Sequence, residues 1–589
     1  MPPKRKTPAS STSSPAPKKQ HTTNGTSSAP SFDHSRVEER VSIVQRKYYP
    51  TEISNERCAQ YNNNEIPRPI EVLQQAIADT KKSHEARTKK PQGDAVVHWF
   101  KRDLRLYDNK GLHLASEMAK KLGVPLICMF IISPQDYEAH CTAPARVDFD
   151  LRTLEIMKQD LAALDIPLFV STVEKRKEVT GFILRKFEEW GAQHVYCNME
   201  YEVDELRREA KLVRDCDKKG INFTPVHDDV VVAPGELKTG NGKQFSVYSP
   251  WYRAWVAHIH KHPHLLDAFE APEKNPASAR SKFGDLFEIQ IPSAPESKKL
   301  TDEEKKRFES LWPVGEHEAR DRLEKFLAQK IAKYKDTRNF PAANSTAVLS
   351  VHHSAGTLAS RTSVRMARDA NSTKKLDGGN TGIVGWISEL AWRDFYKHVL
   401  VHWPYVCMNK SFKYEYTDIE WEYNDEHFKA WCEGRTGFPI VDAAMRQANH
   451  MGYMHNRCRM IVASFLAKDL LIDWRMGEKY FMEHLVDGDF ASNNGGWGFS
   501  ASTGVDPQPY FRIFNPLLQS EKFDENGDYI RKWVEELREV KGKAVHAPYE
   551  RGAAKIAEEK GYPRPIVDHK FARDRALTRY KAGLKRDTA

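Results

Sequence analysis

Apolar positions follow two regimes along the chain. From Asp94 to Lys219, short continuous apolar runs alternate with longer amphipathic stretches. "DAVVHWF", "VPLICMFII", "IPLFVST" and "AQHVYCN" read as strands covered on both faces. "DNKGLHLASEMAKKL", "FDLRTLEIMKQDLAAL", "VTGFILRKFEEWG" and Val203–Lys219 read as the helices between them. This alternation predicts a doubly wound parallel sheet over 94–228. From Thr301 onward the period becomes helical, as in "EHEARDRLEKFLAQKIAKY", "GWISELAWRDFYKHVLVHW" and "NRCRMIVASFLAKDLL", and strand patterns almost vanish. The expected fold class is α/β plus all-α, with a helical domain over 306–580 large enough to surround a ligand. Residues 56–93 read as a helical or irregular approach segment. The stretch 229–305, rich in Pro, Gly, Lys and His, reads as a long interdomain connection, and 581–589 as a short tail.

The first 55 residues are basic and rich in Ser, Thr and Pro, a composition that cannot bury enough apolar surface to fold. Their "PKRK" and "PKKQ" clusters read equally as nuclear-import signals or as a solvated tail. The lack of an acidic residue before Asp33 also admits a mitochondrial presequence, against which the prolines count. Ninety Lys and Arg against 81 Asp and Glu give a net charge of +9, which permits a polyanionic partner without requiring one. No apolar run approaches membrane-spanning length, so no membrane partner is expected. The eight cysteines include no CxxC pair, which fits buried thiols in a reducing intracellular compartment. No G-x-G-x-x-G follows the first strand, where the chain reads "KRDLRLYDNKG", so a conventional dinucleotide site on the sheet is not expected. His258, His260, His262 and His264 alternate, yet no cysteine or patterned acid completes a ligand set; no metal site is expected.

Candidate chemistry concentrates in the helical region. "VDGDFASNNGGWGFSAS" from Val486 gathers Asp487, Asp489, Asn493 and several glycines, and "NRCRM" from Asn456 adds two arginines and an amide. Burying such groups is costly unless they pair with one another or with a polar ligand; Arg459 and Asp487 are one candidate pair. Trp386, Trp392, Trp421, Trp474 and Trp497 lie on separate helices or turns. Indoles serve packing, nucleic-acid stacking or electron transfer, and these residues alone do not choose among the three.

The segments "EGRTGFPIVDAAMRQ", "GYMHNRCRMIVASFLAKDLLIDWRMGEKYF" and "DGDFASNNGGWGFSASTGVDPQPYFRIFNP" closely resemble the DNA photolyase and cryptochrome family. The resemblance runs from about Asp94 to about Tyr580 and is greatest to class I cyclobutane pyrimidine dimer photolyases of fungal type. It implies light-driven repair of such dimers in DNA (EC 4.1.99.3) by an electron from excited reduced FAD, with no net redox change. A flavin-based blue-light receptor of cryptochrome type is the alternative.

The implied FAD contacts are Tyr334, Thr346, Ala347, Val348, Leu349, Ser350, Trp386, Arg393, Asn456, Arg459, Asp487, Asp489 and Asn493. Asn493 would face flavin N5, and Glu389 would stabilise the dimer radical anion; these two are the implied catalytic residues. Trp421, Trp474 and Trp497 would carry electrons that reduce the flavin. Arg338, Glu389, Trp392, Asn456, Arg457, Met460 and Phe499 would line the lesion pocket. His140, Glu205 and Cys407 align with antenna positions. The antenna implied is 5,10-methenyltetrahydrofolate, with a deazaflavin as alternative. Departures occur at Ala347 and Val351, where the family more often has Ser and Pro, at Asp204, commonly Asn, and at Phe499, often Trp. Histidines found in (6-4) photolyases are replaced by Asn456 and Met460, which opposes repair of that lesion. The expected partner is UV-damaged DNA, with no required protein partner and a monomeric state. The expected location is the nucleus, with the mitochondrion as a second site.

Overall fold

The computed structural model describes residues 44–90 and 92–586. The basic clusters and most of the segment read as a tail lie outside the described residues. Residues 44–55, assigned to that tail by composition, are packed instead: Val44, Arg46 and Tyr49 are buried. They form a strap leading into helices α1 (Asn55–Asn62) and α2 (Pro69–Lys89).

Five parallel strands follow: β1 (Ala95–Phe100), β2 (Leu126–Ile132), β3 (Leu168–Thr172), β4 (Ala192–Asn198) and β5 (Asn222–Val226). Their order is β3-β2-β1-β4-β5, so the winding reverses between β1 and β4. Val97 pairs with Ile127 on one side and Val195 on the other. The helices between strands are α3 (Lys110–Leu122), α4 (Pro144–Ala163), α5 (Val179–Glu189) and α6 (Val203–Lys218). Successive strand residues point to opposite faces. Val96 and Phe100 meet α3 and α4, while Val97 and Trp99 meet α2, α5 and α6. That double coverage explains the continuous apolar runs. Asn109 caps α3 by accepting from the Leu112 amide at 3.0 Å, and Gly123 ends it in the left-handed region at φ 66°.

The segment 229–305 is more than a connection. Its helix α7 (Tyr248–Lys261) buries Trp251, Trp255 and Ile259 against α8 (Thr381–His402) in one apolar cluster with Trp386 and Phe395. The remaining core gathers α9 (Pro439–Met451), α10 (Asn456–Ser464), α11 (Trp474–His484), α12 (Phe490–Ala501) and α13 (His569–Arg586). The helical run after Asn456 does not continue unbroken. It widens into a π-turn at Phe465–Asp469, where buried Lys468 donates to Ser502 Oγ at 2.8 Å and the Tyr510 carbonyl at 3.0 Å. All eight cysteines are free thiols, and Cys432 alone among them is not fully buried.

Candidate active site

Helix α8 carries Glu389, Arg393 and Lys397 four residues apart, so the three share a face. Glu389 accepts from the Arg338 guanidinium; both side chains are about one-third exposed, at 29% and 32%. Trp392, half-buried, lies flat on Tyr248 with ring centroids 3.6 Å apart and planes 9° from parallel. Tyr248 is fixed in turn by donating its hydroxyl to the Ser388 carbonyl at 2.8 Å. Arg457 donates to Asn339 Oδ1 at 2.8 Å and rests 4.4 Å over the Phe523 ring. Asn456 is exposed at the first position of α10, and Met460 and Phe499 are half-buried. An acid, a cation and a flat aromatic face thus border one solvent-reachable region.

Farther along α8, Arg393 donates to both the side chain and the carbonyl of Asp229, and Lys397 donates to Asp489 Oδ1 at 2.8 Å. Burial alone would raise the Asp489 pKa, but Lys397 and Arg393 outweigh it and hold the carboxyl well below the usual range. The expected Arg459–Asp487 pair is present at 2.7 Å.

Helix α12 contains three glycines in twelve residues, a costly composition that close approach explains at Gly495 and Gly498. A Cβ on Gly495 would stand 2.2 Å from the Tyr396 ring. On α11, a Cβ on Gly477 would stand 2.1 Å from Trp497. The opposite side of α12 is open: Ser492 and Asn493 are half-buried, and Gly496 is exposed with nothing within 4 Å of a Cβ. Asn493 Nδ2 donates to the Glu478 carbonyl at 2.8 Å.

Among the described residues, the buried polar atoms without a hydrogen-bond partner include Asp487 Oδ1, just ahead of this helix, and Arg393 Nε on α8, which lies 3.9 Å from Asp489 Oδ2. Unpartnered acceptor and donor atoms beside an open glycine-bearing face fit a large polar ligand. Tyr334 and Trp386 are buried around Phe326, at 5.7 and 5.3 Å. The loop before the short helix Ser350–Ala355 leaves Thr346, Ala347 and Val348 half-buried and Ser350 exposed, with Leu349 buried. Val348 adopts a positive φ of 51°. Trp421, Trp474 and Trp497 belong to one apolar cluster, with exposures of 9%, 3% and 2%.

A second polar site lies at the carboxyl ends of the strands. His140 contacts Glu202 at 3.2 Å and Glu205 at 3.1 Å. Burial disfavours the imidazolium, yet the two carboxylates raise its pKa to about 10. Cys407 is buried in the apolar cluster that holds Ala139, Cys141 and Val203. A crevice opens beside His140, bordered by Trp99, Arg102, Tyr137, Arg208 and Met482. Among the described residues, Asp136, His140 and Glu205 are close enough to share a cation. Arg176, however, already donates to Asp136 and Glu205, so this is an ion-pair network.

With this geometry in hand, two family models match: DNA photolyase over residues 96–273, and the FAD binding domain of DNA photolyase over 386–582. A deoxyribodipyrimidine photo-lyase from Neurospora crassa is 63% identical over 558 residues, covering 92% of this chain and 90% of the relative. The chain belongs to the DNA photolyase family. The mitochondrial deoxyribodipyrimidine photo-lyase of Saccharomyces cerevisiae is 34% identical, covering 93% of this chain and 96% of its own. Among solved structures, a class III photolyase from Agrobacterium tumefaciens superposes with TM-score 0.73 at 32% identity, over 84% of this chain and 98% of that one. Like other photolyases, this chain carries an FAD-binding domain, the helical one.

Several photolyase side chains at these sites escape a reading of the sequence. Lys397 had an available signal, its four-residue spacing from Arg393. Tyr248 had none, because its segment has the composition of a connection. Arg46, Tyr49 and Glu478 were hidden by distance along the chain.

Proposed function

We propose that the protein is a light-driven deoxyribodipyrimidine photo-lyase that splits cyclobutane pyrimidine dimers in DNA. The observation that carries this reading is the 63% identity to the Neurospora enzyme over nearly the whole chain. FAD, held in reduced form by the helical domain, would supply light-driven one-electron chemistry to the dimer. All else is done by the chain.

Tyr334, the Thr346–Ser350 loop, Trp386, Arg393, Asn456, Arg459, Asp487, Asp489 and Asn493 hold the cofactor; Asp487 Oδ1 is free to accept from it. Trp421, Trp474 and Trp497 give a buried aromatic route for the electrons that reduce it. A dimer extruded from the duplex, at a cost of a few kcal/mol, stacks on Trp392, which Tyr248 keeps flat. Asn456, Met460 and Phe499 complete the pocket. Arg457, steered by Asn339, meets the DNA backbone. Negative charge developing on the dimer is stabilised by preset dipoles and cations, here the Arg338 guanidinium that the Glu389 carboxylate holds in place.

The crevice beside His140 and Glu205 accepts an antenna chromophore, a reduced folate in preference to a deazaflavin, with Cys407 buried in the neighbouring apolar cluster rather than lining it. The protein acts as a monomer in the nucleus, with the mitochondrion as a second site. The test is illumination of an oligonucleotide carrying one cyclobutane dimer, with purified FAD-loaded protein and a matched dark control. Intact thymines appear only in light if the reading is right. No repair despite fully reduced FAD would leave a light-signalling role as the better account.

A further inference from the structure

Glu478 on α11 joins three segments of the molecule. Its carbonyl accepts from Asn493 Nδ2 at 2.8 Å, and its Oε1 accepts from Asn494 Nδ2 at 2.8 Å. Its Oε2 accepts from Arg46 at 3.1 Å. The side chains of Arg46 and Glu478 are 5% and 3% exposed, so the pair is desolvated. Arg46 belongs to the strap ahead of α1, outside both matched family regions. Its guanidinium also lies 4.3 Å over Phe490, the first residue of α12, and 4.9 Å over Tyr49. Tyr49 donates its hydroxyl to Glu202 beside His140.

A carboxylate this deeply buried needs a matching cation and full hydrogen bonding. Arg46 supplies the cation and Asn494 donates to the carboxylate, while Asn493 donates to the main-chain carbonyl of the same residue. The amide orientation at Asn493 follows: with Nδ2 committed to the Glu478 carbonyl, Oδ1 is turned away from α11. We infer that Arg46 is a positioning residue for the cofactor-facing amide of Asn493, acting through Glu478, and that the strap is a clamp on the α11–α12 pair. The inference rests on the reading of Asn493 as flavin-facing.

The test uses full-length, FAD-loaded protein. After photoreduction, the rate at which the flavin reoxidises in air in the dark is followed by visible absorbance. FAD content and thermal melting are recorded in parallel. Arg46→Met is expected to retain FAD yet reoxidise roughly threefold faster or more, within the range seen for coupled neighbours. In the Arg46→Met/Glu478→Gln double variant no unpaired carboxylate remains, and the rate returns toward that of the parent. Asn493→Ala checks the underlying reading. A parental rate in Arg46→Met alongside an altered rate in Asn493→Ala overturns the role of Arg46. An unaltered rate in Asn493→Ala overturns the reading of Asn493 and the inference with it. If Arg46→Met does not fold, Glu478→Gln carries the test: faster reoxidation supports the inference, and a parental rate overturns it.

Discussion

Glu389 and Trp392 lie three residues apart on α8 and divide two tasks. Replacing Glu389 by Gln keeps an acceptor for Arg338 but removes its negative charge. Repair per absorbed photon should therefore fall severalfold, measured by dimer loss under counted photons, with FAD content unchanged. Trp392→Ala instead removes a stacking face. Dark binding of dimer-bearing DNA should weaken by ~1–3 kcal/mol, read by fluorescence anisotropy, and Tyr248 should lose its stacked partner. His140 gives a prediction in pH. Its folded pKa, about 10, lies above the ordinary value of 6.5, so its contribution to stability is fully present below pH 6.5 and is lost as pH rises toward 10. Chemical denaturation of the wild type should show that loss between those limits. His140→Asn should show a flatter profile there.

At the scale of elements, the contact between α11 and α12 depends on an absent side chain. Gly477→Ala places a methyl group against Trp497, and overpacking of this kind costs ~1–3 kcal/mol. Denaturant midpoints should fall accordingly. Light-driven reduction of FAD should slow in the same variant because the indole is displaced. Sequence legibility also sorts by element. The strands were readable because β1–β4 are buried on both faces and leave continuous apolar runs, and α3 announced its ends with Asn109 and Gly123. The Arg459–Asp487 pair was legible from the cost of burying a carboxylate without a cation, and Asp487 is the buried member. Tyr248 was not, since the need for a flat partner to Trp392 arises only when α7 packs on α8. The strap was misread because its stability comes from particular ion pairs and ring contacts rather than from hydrophobic content: Arg46 with Glu478, and Glu52 with Lys410 and Arg475.

For the molecule as a whole, a net charge of +9 is modest, so DNA affinity depends on where the cations stand more than on their number. Binding should weaken as salt rises. Arg457→Ala should lower the slope of log affinity against log salt by about 1, the value for one phosphate contact. The strap has a consequence in time as well as in space. Arg46 and Glu478 are 432 residues apart, so a growing chain presents the arginine long before its acceptor exists. Domains fold largely as units, N-terminal first, during synthesis. The α/β layer can therefore close while the strap waits, and closing so long a loop carries an entropic cost that must be met last. A segment made early is thus among the last to find its place.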